Sequence, residues 1–161
     1  MIGFAFGIIV GAKLAQWDQK KIIANCNKKY DYIGQIDYLE IRKLITPYIM
    51  PGYEKFFEIT DEWKYLYSDK DDAEFTRKDF TDLNNYIKTI FNCENFGWSY
   101  KVAHDKCLPN GCIAVVVFRN ERGVLHKANL RITENKEVRI REPQDDDWYE
   151  PKKKSITRGE M

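Results

Sequence analysis

The sequence predicts an α+β domain with N-terminal helices packed against a C-terminal antiparallel sheet. Two observations predict this class. From about residue 15 to residue 91 the apolar residues recur mostly every three or four positions, which is typical of helices. After Gly111 they form short β-branched runs separated by turn residues, which is typical of strands. Helices followed by strands indicate an α+β arrangement, and we assign its main domain to residues 18–150.

Length and composition favour a globular chain with a sizeable core. The chain has 161 residues, of which 43% are hydrophobic and 14% aromatic. The 26 Lys and Arg residues nearly balance the 25 Asp and Glu residues, leaving a net charge of +1. This balance gives no support for nucleic-acid binding, which normally needs a basic surface. Residues 151–161, with three consecutive lysines, are expected to form a solvated charged tail.

Residues 1–17 form an apolar N-terminal segment. It is uncharged from Ile2 to Ala12, with glycines every four residues, as in packed membrane helices. The run is too short to span a bilayer before Lys13, and it lacks the basic start of a signal peptide. We expect a buried element or a docking segment for a protein or membrane. A cytoplasmic or virion-associated location is favoured, with a membrane-anchored or exported protein as the alternative.

The first half of the main domain is expected to contain several helices. Residues 36–45 have an apolar helical face that ends before Pro47. The aromatic-rich residues 53–66 predict a second helix, and residues 68–72 a polar loop. Residues 79–91 again have apolar side chains at helical spacing.

A further helix is predicted to begin at Cys93. Asn92 is placed to cap its N-terminus, and Glu94 lies in the first turn, where a negative charge stabilises the helix dipole. Its apolar face comprises Phe96, Tyr100, Ala103 and Cys107. The start of this helix is the feature on which the functional hypothesis depends.

Three strands are expected to follow this helix. Residues 112–118 are almost uniformly apolar, which predicts a strand covered on both faces. Gly123 permits a turn, and residues 124–133 and 137–142 then form two strands joined through residues 134–136. These strands complete the antiparallel sheet.

The four cysteines, Cys26, Cys93, Cys107 and Cys112, leave pairing open. Cys107 and Cys112 flank a turn and could meet across it, although a reduced pair is favoured in a chain of this length. His104 could join these two as zinc ligands, but a fourth ligand at suitable spacing is missing. We therefore expect neither a metal nor a cofactor.

Strand alternation brings two polar side chains together. His126 shares a face with the apolar residues that follow it at every second position, and Glu142 shares a face with those that precede it. Both faces are expected to point to the core. In an antiparallel hairpin the start of one strand lies beside the end of the next, so His126 and Glu142 should be neighbours. By the same alternation Asn129 points to the opposite face.

Cys93 is expected to complete a catalytic triad with His126 and Glu142. The N–H groups and the dipole at a helix start stabilise a thiolate, and a nearby imidazolium adds to this effect. The same N–H groups can stabilise an oxyanion. A lone cysteine or histidine is usually a core residue, but the combination favours a thiol nucleophile with a histidine base and an orienting carboxylate.

Three short motifs resemble a known family. Residues 92–96 (NCENF) resemble the Asp-Cys-Asp-Asp/Asn-Phe-Ala motif of the papain-like cysteine peptidase domain of mushroom agglutinins and its bacterial and phage relatives. His126 with Asn129 resembles the His-Ala-x-Asn motif of that family, and residues 142–144 (EPQ) match its Glu-Pro-Gln. The resemblance covers roughly residues 35–147.

This resemblance implies a papain-like fold with Cys93 as nucleophile, His126 as base and Glu142 as orienting residue. Three positions depart from the family pattern. Asn92 replaces an Asp, Gly97 replaces an Ala, and Ile87 stands where papain has the glutamine of its oxyanion hole. Oxyanion stabilisation is then left to backbone N–H groups or to another side chain.

The leading functional hypothesis is therefore a papain-like thiol hydrolase acting on a peptide or on peptidoglycan. A non-catalytic papain-like component of a virion or membrane-associated assembly is one alternative. A transglutaminase-like acyl transferase is another, because it uses the same three residue types with an amine as acceptor.

Overall fold

The computed structural model describes residues 30–77, 92–120, 122–142 and 147–161. Three α-helices lie in this part of the chain: α1 (Tyr38–Ile45), α2 (Asp69–Thr76) and α3 (Cys93–Cys107). The strands of the same part are β1 (Tyr32–Asp37), β2 (Phe57–Glu58), β3 (Trp63–Tyr67), β4 (Ile113–Arg119), β5 (Leu125–Ile132), β6 (Val138–Arg141), β7 (Trp148–Tyr149) and β8 (Ile156–Glu160). Single 3-10 turns occupy Thr46–Tyr48 and Glu54–Phe56. The fold class is therefore α+β.

Several expectations concern residues outside these ranges. They concern the apolar segment from Ile2 to Ala12, Cys26, the helix expected over residues 79–91 with Ile87, and Pro143 and Gln144 of the last motif. No helix within the described ranges is long and apolar enough to cross a membrane.

The main sheet has six strands in the order β2-β8-β4-β5-β6-β7. Its neighbouring strands are antiparallel except for the parallel pair β2 and β8. β4 lies inside this sheet and is buried along most of its length, as its apolar run predicts. A separate antiparallel pair is formed by β1 and β3.

The main sheet is covered on both faces. On one face, Ile41 and Ile45 of α1 belong to the same core as Ala128 and Leu130 of β5. α3 lies on the other face, where a Cβ atom added at Gly97 would be 3.4 Å from the Val115 Cγ1 atom. The helical face predicted for α3 is confirmed, because Phe96, Tyr100, Ala103 and Cys107 are all buried.

α3 begins where the sequence predicts, with a reciprocal cap. The Asn92 side chain accepts a hydrogen bond of 3.0 Å from the Glu94 N–H, and the Asn95 side chain accepts one of 3.2 Å from the Asn92 N–H. Side-chain acceptors at these positions satisfy N–H groups that the helix itself leaves without partners. The cap therefore fixes Cys93 as the first residue of the helix.

The expected assignments before Cys93 are partly wrong. Residues 53–66 do not form a helix, because β2 and most of β3 occupy them. The aromatic residues Trp63, Tyr65 and Tyr67 alternate with other residues, which is a strand period. Residues 68–72 are not a loop, because Ser68 caps α2 by accepting a hydrogen bond of 3.0 Å from the Asp71 N–H. The acidic first turn favours this helix start.

The expectation of a solvated tail over residues 151–161 is wrong for its second half. Residues 152–154 are exposed, but β8 lies inside the main sheet between β2 and β4. Ile156 and Met161 are buried. β8 has a single strongly apolar residue, so its sequence lacks the alternation that would predict a strand.

The cysteines also differ from expectation. Cys107 is disulfide-bonded, whereas Cys93 and Cys112 are free thiols. The expected reduced state of Cys107 is therefore wrong, and Cys112 is not its partner. Cys112 is buried, and burial raises the pKa of its thiol to about 12.

Candidate catalytic site

His126 and Glu142 form a hydrogen-bonded pair between the imidazole Nε2 and the carboxylate Oε2 atoms. His126 is the second residue of β5, and Glu142 directly follows the last residue of β6. The pairing of Leu130 with Ile140 sets the register that brings them together. Both side chains are mostly buried, with 24% of His126 and 15% of Glu142 exposed. The predicted proximity of His126 and Glu142 is confirmed.

An aromatic ring packs against His126. Phe118 is the β4 residue paired with His126, and their ring centroids are 5.5 Å apart in an edge-on arrangement. Because Glu142 occupies Nε2, the ring nitrogen left for another partner is Nδ1. The sequence contains no signal for Phe118, because its place opposite His126 depends on the β4–β5 register, which is centred on residue 122.

Cys93 lies at the first position of α3 as a half-buried free thiol. Its own N–H has no acceptor among the described residues. A helix start combines such N–H groups with the positive end of the dipole, and both stabilise negative charge. This position suits a thiolate and an oxyanion that develops beside it.

An ion pair connects the neighbours of Cys93 and His126. The Lys127 Nζ atom is 2.5 Å from a carboxylate oxygen of Glu94. Glu94 follows Cys93 in the helix, and Lys127 follows His126 in the strand. The start of α3 is therefore held beside the start of β5.

The three residues of the predicted triad are only partly joined by direct contacts. The contacts within the described residues include no hydrogen bond between the Cys93 sulfur and the His126 ring. Lys127 contacts α3, whereas His126 belongs with Phe118 on the opposite face of the strand. The structure thus joins His126 to Glu142 and places Cys93 at the neighbouring helix start.

Asn129 points away from His126, as alternation predicts. It is fully buried, and its amide nitrogen donates to the Gly97 carbonyl at 2.9 Å and to the Ala114 carbonyl at 3.4 Å. The first of these hydrogen bonds is a second tie between β5 and α3. Asn129 is therefore an anchor of the helix rather than an orienting residue for His126.

A buried charge cluster lies further along α3. The His104 Nε2 atom is 3.5 Å from Asp72, and the guanidinium of Arg131 is 3.2 Å from the same carboxylate. Burial alone would raise the pKa of Asp72, but the hydrogen bond with His104 and the charge of Arg131 outweigh it and lower the pKa. The cluster joins α2, α3 and β5. His104 thus contacts a carboxylate, and the described residues contain no cluster suited to a metal ion.

Arg141 has a structural role that the sequence does not predict. It is fully buried, donates to the Tyr100 hydroxyl at 2.7 Å and to Thr76, and places its guanidinium 4.0 Å from the centroid of the Tyr100 ring. These contacts hold the end of β6, directly before Glu142, against α3. An arginine within a strand is normally expected to be exposed, so the sequence contained no signal for this role.

Comparison with known proteins identifies the fold. No protein-family model and no curated protein matches the chain. Among solved structures, the chain resembles a PSL1a–E64 complex with a TM-score of 0.67 at 14% identity, over 79% of this chain and 51% of that chain. It also resembles the Polyporus squamosus lectin bound to the human-type influenza-binding epitope Neu5Aca2-6Galb1-4GlcNAc, with a TM-score of 0.61 at 12% identity. This match covers 79% of this chain and 49% of that chain.

These likenesses show that the chain shares its fold with part of a mushroom lectin. The chain spans about half the length of the solved structures that it matches. The likeness to a mushroom agglutinin and the α+β class are thus confirmed, whereas the papain-like topology stays a prediction. The catalytic assignment depends on the side chains described above.

Proposed function

We propose that the protein is a papain-like thiol hydrolase that cleaves peptide or related amide bonds. Cys93 is the nucleophile, His126 the general base and Glu142 the residue that orients the imidazole. The observation that carries the proposal is the His126–Glu142 hydrogen bond, together with a free cysteine at the start of the helix that the Glu94–Lys127 ion pair ties to the same strand. A histidine held by a carboxylate is the partner that a thiol nucleophile requires.

In the proposed reaction, Nδ1 of His126 removes the Cys93 proton. Glu142 accepts a hydrogen bond from the Nε2–H group, fixes the ring tautomer and stabilises the imidazolium. The thiolate attacks the substrate carbonyl, and the Cys93 N–H donates to the developing oxyanion. His126 then protonates the leaving amine, and water hydrolyses the thioester. Catalytic hydrogen bonds often tighten only when substrate binds. The absence of a Cys93–His126 hydrogen bond is therefore compatible with these reaction steps.

The fold comparison supports the proposal through one ligand. One of the similar structures is a complex with E64, a compound with an epoxide ring that a thiolate can open. E64 is therefore a suitable reagent for this chain. We expect one covalent adduct on the folded wild-type protein at Cys93, and no adduct on Cys93→Ala.

Mass spectrometry of the E64-treated protein, together with hydrolysis of casein, tests the function. Cys112→Ala is the matched control, since Cys112 is a buried free thiol, and it should retain both adduct and hydrolysis. His126→Ala should lose hydrolysis. A folded wild-type protein that neither reacts with E64 nor cleaves casein or peptidoglycan would contradict the proposal and favour a non-catalytic papain-like component.

The same assay separates hydrolysis from acyl transfer. Adding a labelled primary amine provides a competing acceptor for the thioester. Release of free carboxylate with little label incorporated supports a hydrolase. Incorporation of the label as the main product would instead assign a transglutaminase-like activity to the same three residues.

A further inference from the structure

A cavity of about 650 Å³ opens beside the proposed catalytic histidine. Phe118 forms part of its wall and contacts the His126 ring edge-on. A volume of this size suits a ligand group of several heavy atoms. The cavity and His126 therefore share one wall, the Phe118 ring.

The wall of this cavity is largely aromatic. Phe118 and Tyr149 both line it, with ring centroids 6.4 Å apart, and Pro151 lies next to them. Tyr149 is 38% exposed, so its ring remains accessible to a ligand. Aromatic surfaces of this kind bind large apolar or aromatic side chains.

The rim of the cavity has more positive than negative charge among the described residues. Arg119 and Lys152 line it together with a single acid, Glu150. Arg119 is held beside the turn because its Nη1 atom donates to the Gly123 carbonyl at 2.9 Å. Glu150 accepts a hydrogen bond of 3.4 Å from the Tyr48 hydroxyl. The two cations favour a carboxylate on the ligand.

We propose that this cavity selects peptide substrates with a large apolar or aromatic side chain next to an acidic residue. The proposal rests on the hydrolase function proposed above and names its substrate class. Phe118 and Tyr149 contact the apolar side chain, and Arg119 with Lys152 contact the adjacent carboxylate. These four residues determine specificity and take no part in proton transfer.

Cleavage of a mixed peptide library by the wild-type protein is the first test. We expect an aromatic or large aliphatic residue at one fixed position relative to the cut, with Asp or Glu beside it. Two synthetic peptides that differ only by Glu or Gln at that position then give a ratio of kcat/KM values. In the double variant Arg119→Glu/Lys152→Glu this ratio should fall about tenfold or more, since two favourable charges become unfavourable.

Lys43→Glu/Lys55→Glu is the matched control. Both lysines are exposed and outside the cavity, and the double change alters the net charge equally. This control should keep the Glu/Gln ratio. Tyr149→Ala should reduce the preference for the aromatic residue while leaving the E64 reaction at Cys93 intact.

The two proposals fail in distinguishable ways. Cleavage without positional preference, or an unchanged ratio in Arg119→Glu/Lys152→Glu, would overturn the cavity assignment and leave the hydrolase intact. If no peptide is cut, binding of the labelled Glu and Gln peptides to the full chain is measured by fluorescence anisotropy. Tighter binding of the Glu peptide that the double variant abolishes supports the cavity, and equal binding overturns it.

Discussion

The side-chain amide of Asn129 donates a hydrogen bond to the backbone carbonyl of Gly97 in a fully buried environment. Gly97 lies one helical turn after Cys93, and Asn129 lies three residues after His126. This hydrogen bond therefore sets the position of the helix that presents the thiol relative to the strand that presents the imidazole. It also explains why an asparagine close to the histidine in sequence does not orient it.

Replacing Asn129 tests this anchoring role. We expect Asn129→Ala to lower the free energy of unfolding by about 1–3 kcal/mol, because the Gly97 carbonyl loses a buried donor. Urea denaturation followed by tryptophan fluorescence measures the change. Asn135→Ala, at an exposed position in the turn after β5, should have almost no effect. Equal stability of the two variants would show that the hydrogen bond contributes little.

Glu142→Gln separates orientation from packing. The fold should be retained, but hydrolysis should fall by up to roughly 10⁴-fold, because a neutral amide stabilises the imidazolium poorly and can favour the wrong tautomer. Melting temperature and casein hydrolysis are measured on the same preparation. A fully active variant with a lower melting temperature would show that Glu142 is a structural residue.

The thiols should differ strongly in reactivity. Near neutral pH we expect Cys93 to alkylate fastest, since it is half-buried at a helix start. Cys112 should be nearly inert, because burial raises its pKa to about 12, and disulfide-bonded Cys107 should not react. Peptide mapping after timed iodoacetamide treatment gives the rates. His126→Ala should slow only Cys93, and similar rates for Cys93 and Cys112 would contradict the nucleophile assignment.

Asp72 should make stability sensitive to acid. Its pKa is lower in the folded than in the unfolded chain, so its stabilising contribution is complete above the unfolded pKa and is lost as pH falls through the folded pKa. We expect Asp72→Asn to cost about 3–5 kcal/mol at neutral pH, since the charge of Arg131 loses a buried partner. Below about pH 4 the difference in the free energy of unfolding between wild type and Asp72→Asn should become smaller.

Thermal unfolding at several pH values measures this difference. Asp31→Asn removes an exposed acid and is the matched control. If the difference in melting temperature between wild type and Asp72→Asn stayed constant from pH 7 to pH 2, the ionised form of Asp72 would not be its source.

Two glycines should respond to alanine in opposite directions. At Gly97 the added Cβ atom would lie 3.4 Å from the nearest side-chain atom, so Gly97→Ala should raise stability by about 0.5–1 kcal/mol through its helix propensity. At Gly159 it would lie 2.3 Å from the buried Phe57 ring, so Gly159→Ala should lower stability by about 1–3 kcal/mol. If both substitutions shifted the melting temperature in the same direction, the packing described around one of the two glycines would be wrong.

The sequence predicted the His126–Glu142 pair because regular alternation sets the faces of β5 and β6, and a short turn sets their pairing. The cap at Asn92 likewise predicted where α3 begins. Both depend on residues close together along the chain. The sequence did not show the role of Phe118 at the cavity, because its apolar character indicates burial without indicating a neighbour.

The misassigned elements depend on contacts between distant parts of the chain. β8 is a strand only because β2 and β4 supply partners for its backbone. Arg141 is buried in contact with Tyr100 and Thr76, which accept hydrogen bonds from its guanidinium. Local composition favours exposure in both cases, and tertiary contacts override it.

The position of β8 has a consequence for how the protein folds. β2 pairs with β8 across most of the chain length, and such non-local pairing slows folding because a large loop must close before the contact forms. Until β8 inserts, the hydrogen-bonding edge of apolar β4 stays open to other chains. A chain in which β8 has not yet paired is thus prone to aggregate through this edge.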